Sequence, residues 1–249
     1  MNPVVVELDA CAPGSAADGV SLRTTLDASA GCPEVVQRVA DVSPGAGLSG
    51  VAEAGGELWF VRSGGGRLLF GPDRPGTEGG VPVELEPGVG AHLAGGWKYR
   101  LEAGSGGIEV VVAVLPARPA ATTGDGARPA RPPVVARLED CEVERTGDRL
   151  FRVLVGPGRG CEAATQFVGE IPPGRAPAHS HSYDEVVFVL FGRGVVHLDA
   201  GDRPLRPGTC VYLPPGTRHC LENTGAGTLE VLGVFQPGGS PAAKQGPDA

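Results

Sequence analysis

A fifteen-residue pattern recurs, with substitutions, in the two halves of this chain. Gly31-Cys32-Pro33-Glu34-Val35-Val36-Gln37-Arg38-Val39-Ala40-Asp41-Val42-Ser43-Pro44-Gly45 lies without a gap on Gly160-Cys161-Glu162-Ala163-Ala164-Thr165-Gln166-Phe167-Val168-Gly169-Glu170-Ile171-Pro172-Pro173-Gly174. The same register sets Arg23 beside Arg152 upstream. Downstream, after a slip of one residue, it sets Glu57, Gly64 and Gly66 beside Glu185, Gly192 and Gly194. Two halves built on one pattern fold as two similar domains. Each half is a series of short apolar runs, such as residues 108–115 and 186–191, separated by glycine and proline turns, which is the signature of an all-β protein. With 41 glycines and 24 prolines among 249 residues the composition approaches that of disordered chains, and the apolar strand blocks argue against disorder. The boundaries read as 1–115 for the first domain, 116–133 for a linker rich in Ala, Pro, Arg and Gly, 134–236 for the second domain and 237–249 for a flexible tail.

The formal net charge is -8 and no basic cluster occurs, so nucleic acid is not an expected partner. No apolar run is long enough for a membrane span and the first residues lack the pattern of a signal peptide, which makes the cytoplasm the expected location. The six cysteines contain no Cys-x-x-Cys and read as thiols; Cys210 and Cys220 read as small buried hydrophobes near a site described next.

The second half reads Gly174-x4-His179-x-His181-x3-Glu185-x6-Gly192, then Gly208-x5-Pro214-x-Gly216-x2-His219-x3-Asn223. Side chains two apart on a strand share a face, so His179 and His181 project together, and a turn brings Glu185 back beside them. His219, after the Pro214-Pro215-Gly216 turn, supplies a fourth arm. Three imidazoles and a carboxylate suit one divalent transition metal, with iron or manganese favoured and nickel, zinc, cobalt or copper as alternatives.

At these residues the chain resembles the cupin superfamily, whose two signature motifs match at every marked position except that Gly174 stands one residue closer to His179, a shortened turn. The resemblance implies two tandem double-stranded β-helix (jelly-roll) barrels with the metal inside the mouth of the second. It also implies barrels that pack in pairs through sheet faces and exchanged edge strands, with a homodimer as a further expectation. Laid on the second half, the first puts Val51 and Glu53 at His179 and His181, and Tyr99 at His219, and keeps only Glu57 among the ligand positions. The N-terminal barrel is therefore expected to be metal-free. His92 falls opposite Tyr212 and reads as structural, the alternative being that Glu57, Tyr99 and His92 line a pocket for an organic ligand.

Around the metal, Gln166 on the preceding strand reads as a candidate hydrogen-bonding group, although Gln37 holds the same place in the half without ligands. Either Tyr183 or Tyr212 reads as an acid or hydrogen-bond donor at the open face of the ion. Glu185 reads as a ligand that also shuttles a proton. Arg218 is expected outside the barrel, and His197 is not expected among the ligands. Phe167, Phe188 and Phe191 supply aromatic surface; facing the metal, they would suit an aromatic or enolic small-molecule substrate. Three functions fit: a dioxygenase-type oxidoreductase, placed first because many proteins with this ligand set use dioxygen; a non-redox isomerase, cyclase or decarboxylase; and a non-catalytic small-molecule-binding protein.

Overall fold

The structure is a computed structural model that describes residues 1–72, 82–117 and 134–242. Most of the expected linker, and the last seven residues of the expected tail, lie outside the described residues. The chain forms two antiparallel β-barrels. In the C-terminal barrel a seven-stranded sheet runs in the order Val4–Glu7, Thr209–Leu213, Asp184–Phe191, Leu229–Gln236, Thr165–Ile171, Arg149–Val155, Glu144–Thr146. A four-stranded sheet, Gly174–Arg175, His219–Asn223, Gly194–Leu198, Arg203–Leu205, closes over it. In the N-terminal barrel two long strands, Glu57–Pro72 and Trp97–Val114, bend through both layers. One nine-stranded sheet therefore takes the place of two, with register shifts between Val61 and Ser63 and between Gly64 and Gly66 at the bend.

Sheet membership crosses the expected boundary between the halves. The first strand, Val4–Glu7, pairs with Thr209–Leu213 of the C-terminal barrel, and Val134–Arg137 pairs with Val89–Leu93 of the N-terminal barrel. The exchange is reciprocal: Val4 lies opposite Tyr212 as Val134 lies opposite His92. Each half thus covers the sheet edge that the other would expose.

The absence of alternation in the apolar runs has a physical cause. Along Asp184–Phe191, Val187 and Val189 fill the C-terminal barrel while Val186 and Phe188 face the other barrel, so both sides of the strand are buried. Thr209–Leu213 behaves alike, with Val211 and Leu213 inside the barrel and Cys210 and Tyr212 between barrels. The N-terminal half contributes Leu58, Phe60, Val111 and Ala113 to the same inter-barrel layer and keeps Trp59, Val61, Val110 and Val112 for its own interior. Two sheets packed face to face in this way bury roughly 1.5–3 kcal/mol per large apolar side chain, before the entropy cost.

Candidate metal centre

His179 and His219 are held by a two-way backbone pair, each N–H donating to the other's carbonyl at 2.9 and 2.8 Å. Gly216, in the left-handed region at φ 79°, turns the chain so that its N–H donates to the His181 carbonyl at 2.7 Å. A side chain would be strained at that φ, which explains a glycine here. These bonds bring three imidazoles together: ring centroids lie 4.4 Å apart for His179 and His219, 4.8 Å for His179 and His181, and 5.5 Å for His181 and His219. Their ligand atoms lie within 4.8 Å of one another. Two opposed ligands on bonds of ~2.1 Å stand ~4.2 Å apart, so one ion closes the cluster with small side-chain rotations.

Glu185 points into the same space, its Oε2 3.5 Å from Nε2 of both His181 and His219. That oxygen is buried and without a hydrogen-bond partner, a costly arrangement that a cation relieves. The Nδ1 atoms of His179 and His219 face the carbonyls of Pro177 and Thr217 at 3.3 and 3.0 Å. Donation to those carbonyls puts the proton on Nδ1 and leaves each Nε2 lone pair for a metal. Burial, then the neighbouring His179, pushes His181 down to about 4 and His219 to about 3. Both rings are therefore neutral at physiological pH, as ligands must be. Burial pushes the Glu185 carboxyl up to about 8, with the positive charge of Arg149 pulling against it. The donor set thus fits a divalent transition ion.

The wall beside the ligands is aromatic. Tyr183 stacks on His181 with centroids 4.8 Å apart and planes at 12°, and Phe235 packs on both. Phe167 and Phe151 complete the cluster. The first residues of the segment expected as a tail make hydrogen bonds to this cluster and its strand. Thr165 donates its hydroxyl to the Gly239 carbonyl and accepts from the Gly239 N–H at 2.8 and 3.1 Å, and the Tyr183 hydroxyl donates to the Ser240 carbonyl at 3.4 Å.

Of the four residues expected to carry chemistry, Glu185 and Tyr183 lie at the histidine cluster; Tyr212 and Gln166 do not. Tyr212 is fully buried between the barrels and donates to Asp184 at 2.6 Å. Gln166 is also fully buried, and its amide oxygen lies against Gly90 of the other barrel, where an added Cβ would come within 2.9 Å. Both residues sit on strands buried on two sides, and sequence parity alone does not say which side is the cavity. Phe167, one residue on, takes the inward face. Phe188 joins the inter-barrel layer and Phe191 is exposed. As expected, Arg218 is exposed, and His197 is occupied outside the ligand set by Asp202 and Glu222 at 2.8 and 2.7 Å. All six cysteines are free thiols; Cys210 belongs to the inter-barrel layer and the Cys220 Sγ contacts the Ala176 carbonyl.

The N-terminal barrel shows a different residue pairing from the one the aligned sequences suggest. Gly50 lies opposite Tyr99 as His179 lies opposite His219, and the Gly96 N–H donates to the Ala52 carbonyl as Gly216 does to His181. Gly50 and Ala52 therefore hold the places of the two histidines, while Val51 and Glu53 project to solvent. The one-residue slip falls after Ala52 rather than at the Gly45 turn, too short a distance for the sequence to resolve. Glu57 is buried and committed: the Trp59 indole donates to it at 2.7 Å and the Glu53 N–H at 3.1 Å, and Arg38 lends a positive charge. Tyr99 packs edge-on against Trp59, covering Gly50. His92 faces the backbone of Gly160 in the other half, and its Nε2 lies close to Gly56 beside Glu57.

Arg149 was not legible as a site residue. It opens the strand that carries Phe151, donates from Nη2 to the Leu221 carbonyl at 2.8 Å, and keeps a buried Nε without a hydrogen-bond partner. The available signal was the repeat itself, which sets Val20, a core residue, at the place of Arg149.

Residues 167–235 match the family model described as Cupin domain. The C-terminal barrel is a cupin domain. An oxalate-binding protein of Thermotoga maritima is 36% identical over 68 residues, covering 26% of this chain and 56% of that protein. An uncharacterised protein of Methanocaldococcus jannaschii is 36% identical over 60 residues, covering 24% and 48%. The chain thus spans about half the length of the curated relatives it matches. In fold, a mutant of Bacillus subtilis oxalate decarboxylase superposes with a TM-score of 0.76 at 14% identity, over 98% of this chain and 79% of that one. A formate complex of Lactobacillus farciminis oxalate decarboxylase does so with the same score and identity, over 95% and 87%. The two-barrel fold of those structures therefore extends over both halves of this chain. Among the described residues no helix is long and apolar enough to cross a membrane.

Proposed function

We propose that this cupin is a metal-dependent enzyme of small carboxylic acids that cleaves a carbon–carbon bond by decarboxylation, with oxalate as the first substrate to test. The observation that carries the reading is the cluster of His179, His181 and His219 around the unpartnered Glu185 oxygen, beside the packed aromatic group of Tyr183, Phe151, Phe167 and Phe235. The likeness to oxalate decarboxylases, one of them described with Mn(II) centres, moves the preference from the dioxygenase reading to the decarboxylase and favours manganese as the ion.

A divalent ion on these four ligands would supply Lewis-acid polarisation of a substrate oxygen and, with manganese or iron, access to redox chemistry. The protein's own part is to exclude water and to hold protons. Burial keeps the Tyr183 phenol protonated across the physiological range, and its one proton goes to the Ser240 carbonyl unless a substrate oxygen takes that place beside His181. Asp184, the next carboxylate along the chain, faces Tyr212 and takes no part.

A second reading, binding without turnover, is favoured by the oxalate-binding relative and by Tyr183 being the one further acid on the cavity wall that the named contacts identify. Metal analysis of the purified chain followed by incubation with oxalate separates the readings. Formate and carbon dioxide in equal amounts without net dioxygen uptake support decarboxylation. Dioxygen uptake with peroxide restores the oxidative reading, and saturable binding without product supports the second.

A further inference from the structure

The C-terminal barrel encloses a cation that its metal ligands do not need. Three neutral imidazoles, one carboxylate and a divalent ion leave a net charge of +1, and the guanidinium of Arg149 raises it to +2 inside an apolar wall. Uncompensated charge in such surroundings is costly, and a small anion offsets it. The geometry aims the guanidinium at this space. Arg149 shares a strand face with Phe151, a member of the aromatic cluster, and its Nη2 is tied to the carbonyl of Leu221, two residues along the strand from His219. Two residues of strand span about 6.6 Å, the scale of one small molecule. The tie leaves the buried Nε–H without a protein partner. In the N-terminal barrel, which lacks the three histidines, the equivalent residue is Val20, packed in the core, so the cation accompanies the ligand set and not the fold.

Resting on the function proposed above, we propose that Arg149 binds a carboxylate of the substrate through its Nε–H, restricting the metal cavity to small acids that carry a second anionic oxygen for the metal. Guanidinium donors fit a carboxylate in a way that a lysine ammonium does not reproduce.

The test uses the full chain loaded with Co(II), whose visible spectrum reports ligands entering the metal's coordination sphere, with two probes: oxalate and neutral imidazole. Arg149→Gln is expected to weaken oxalate about 10- to 100-fold, to leave imidazole binding unchanged, and to leave one metal per chain. Arg149→Lys is expected to fall between Gln and the wild type for oxalate, and supplies a folded comparison should the Gln variant fold poorly. Equal oxalate affinity in the wild type and either variant overturns the proposal, as does a parallel loss of oxalate and imidazole, which marks Arg149 as a strand tie. A wild-type chain that takes up no metal overturns the proposed function and this inference with it; a metal-loaded chain indifferent to Arg149 overturns the inference alone.

Discussion

The two barrels share a strand plan, a glycine pattern and one glutamate, yet they solve the same buried-carboxylate problem in opposite ways. In the C-terminal barrel Glu185 keeps an oxygen free of hydrogen bonds between His181 and His219. In the N-terminal barrel Glu57 spends both oxygens on the Trp59 indole and the Glu53 N–H, and Tyr99 fills the space over Gly50. A satisfied carboxylate is a structural element; an unsatisfied one surrounded by lone pairs is a ligand waiting for a cation. The contrast separates the fold from the site, because the N-terminal barrel closes without any of the three histidines.

The largest expected effect concerns what the barrels owe each other. A fragment covering residues 134–236 would expose the inter-barrel faces of Val186, Phe188, Tyr212 and Val234 and lose the strand Val4–Glu7 from its edge. At roughly 1.5–3 kcal/mol for each large side chain left in water, these four alone approach the whole ~5–15 kcal/mol stability of an ordinary domain. The fragment is expected to aggregate or to melt far below the full chain in scanning calorimetry. A soluble, monomeric, fully metal-binding fragment would show that the N-terminal barrel contributes nothing to its partner.

Next in size is the ligand contrast. His181→Ala should weaken metal binding by roughly a hundredfold or more, whereas Glu57→Gln in the other barrel should leave metal affinity unchanged. Both variants should keep the β-rich circular dichroism spectrum, since the barrel cores do not include the ion. One metal per chain is expected by elemental analysis; a stoichiometry near two, with the second ion in the N-terminal barrel, would erase the comparison.

A smaller effect follows from protons. With Glu185 pushed up to about 8 and the buried His181 and His219 down to about 4 and about 3, these three groups carry one proton to displace at pH 7, and it sits on the carboxyl. The sign is fixed: metal binds the deprotonated form, so apparent affinity rises with pH up to about 8 and levels off above it. Titration calorimetry in buffers of differing ionisation enthalpy should find about one proton released per metal at pH 7 and close to none at pH 9. Release of two or more at pH 7 would mean that the histidines are protonated and the cavity is wetter than the packing implies.

The clustering of His179, His181, Glu185 and His219 and the two-barrel plan were readable because both rest on short-range spacing: the strand period places His179 beside His181, and glycine turns return Glu185 and His219. What stayed hidden depends on which side of a strand faces what. Tyr212 and Gln166 lie on strands buried on both sides, so their sequence neighbourhood carries no polarity signal, and the structure turns both toward the other barrel. Arg149 stayed hidden for the converse reason, being a charged residue at the start of a strand where solvent is the default expectation. The reciprocal exchange of Val4–Glu7 and Val134–Arg137 is a long-range pairing that no local pattern encodes.

The smallest effect tests the register in the N-terminal barrel. If Gly50 and Ala52 hold the histidine places, Gly50→Ala puts a Cβ 2.6 Å from the Tyr99 hydroxyl oxygen and 2.8 Å from its ring carbon. Tyr99 is a partly exposed side chain that yields at some expense, so the cost should be modest, about 1 kcal/mol by denaturant unfolding. It should vanish in a Tyr99→Ala background, because the double-mutant cycle removes the contact from both sides. Val51→Ala, at a position 53% exposed, should cost less than about 0.5 kcal/mol in either background. If Val51 couples to Tyr99 and Gly50 does not, the slip lies upstream at the Gly45 turn after all. Val51 and Glu53 would then be the true counterparts of His179 and His181, and the degenerate barrel would stand one carboxylate closer to a metal site than its structure indicates.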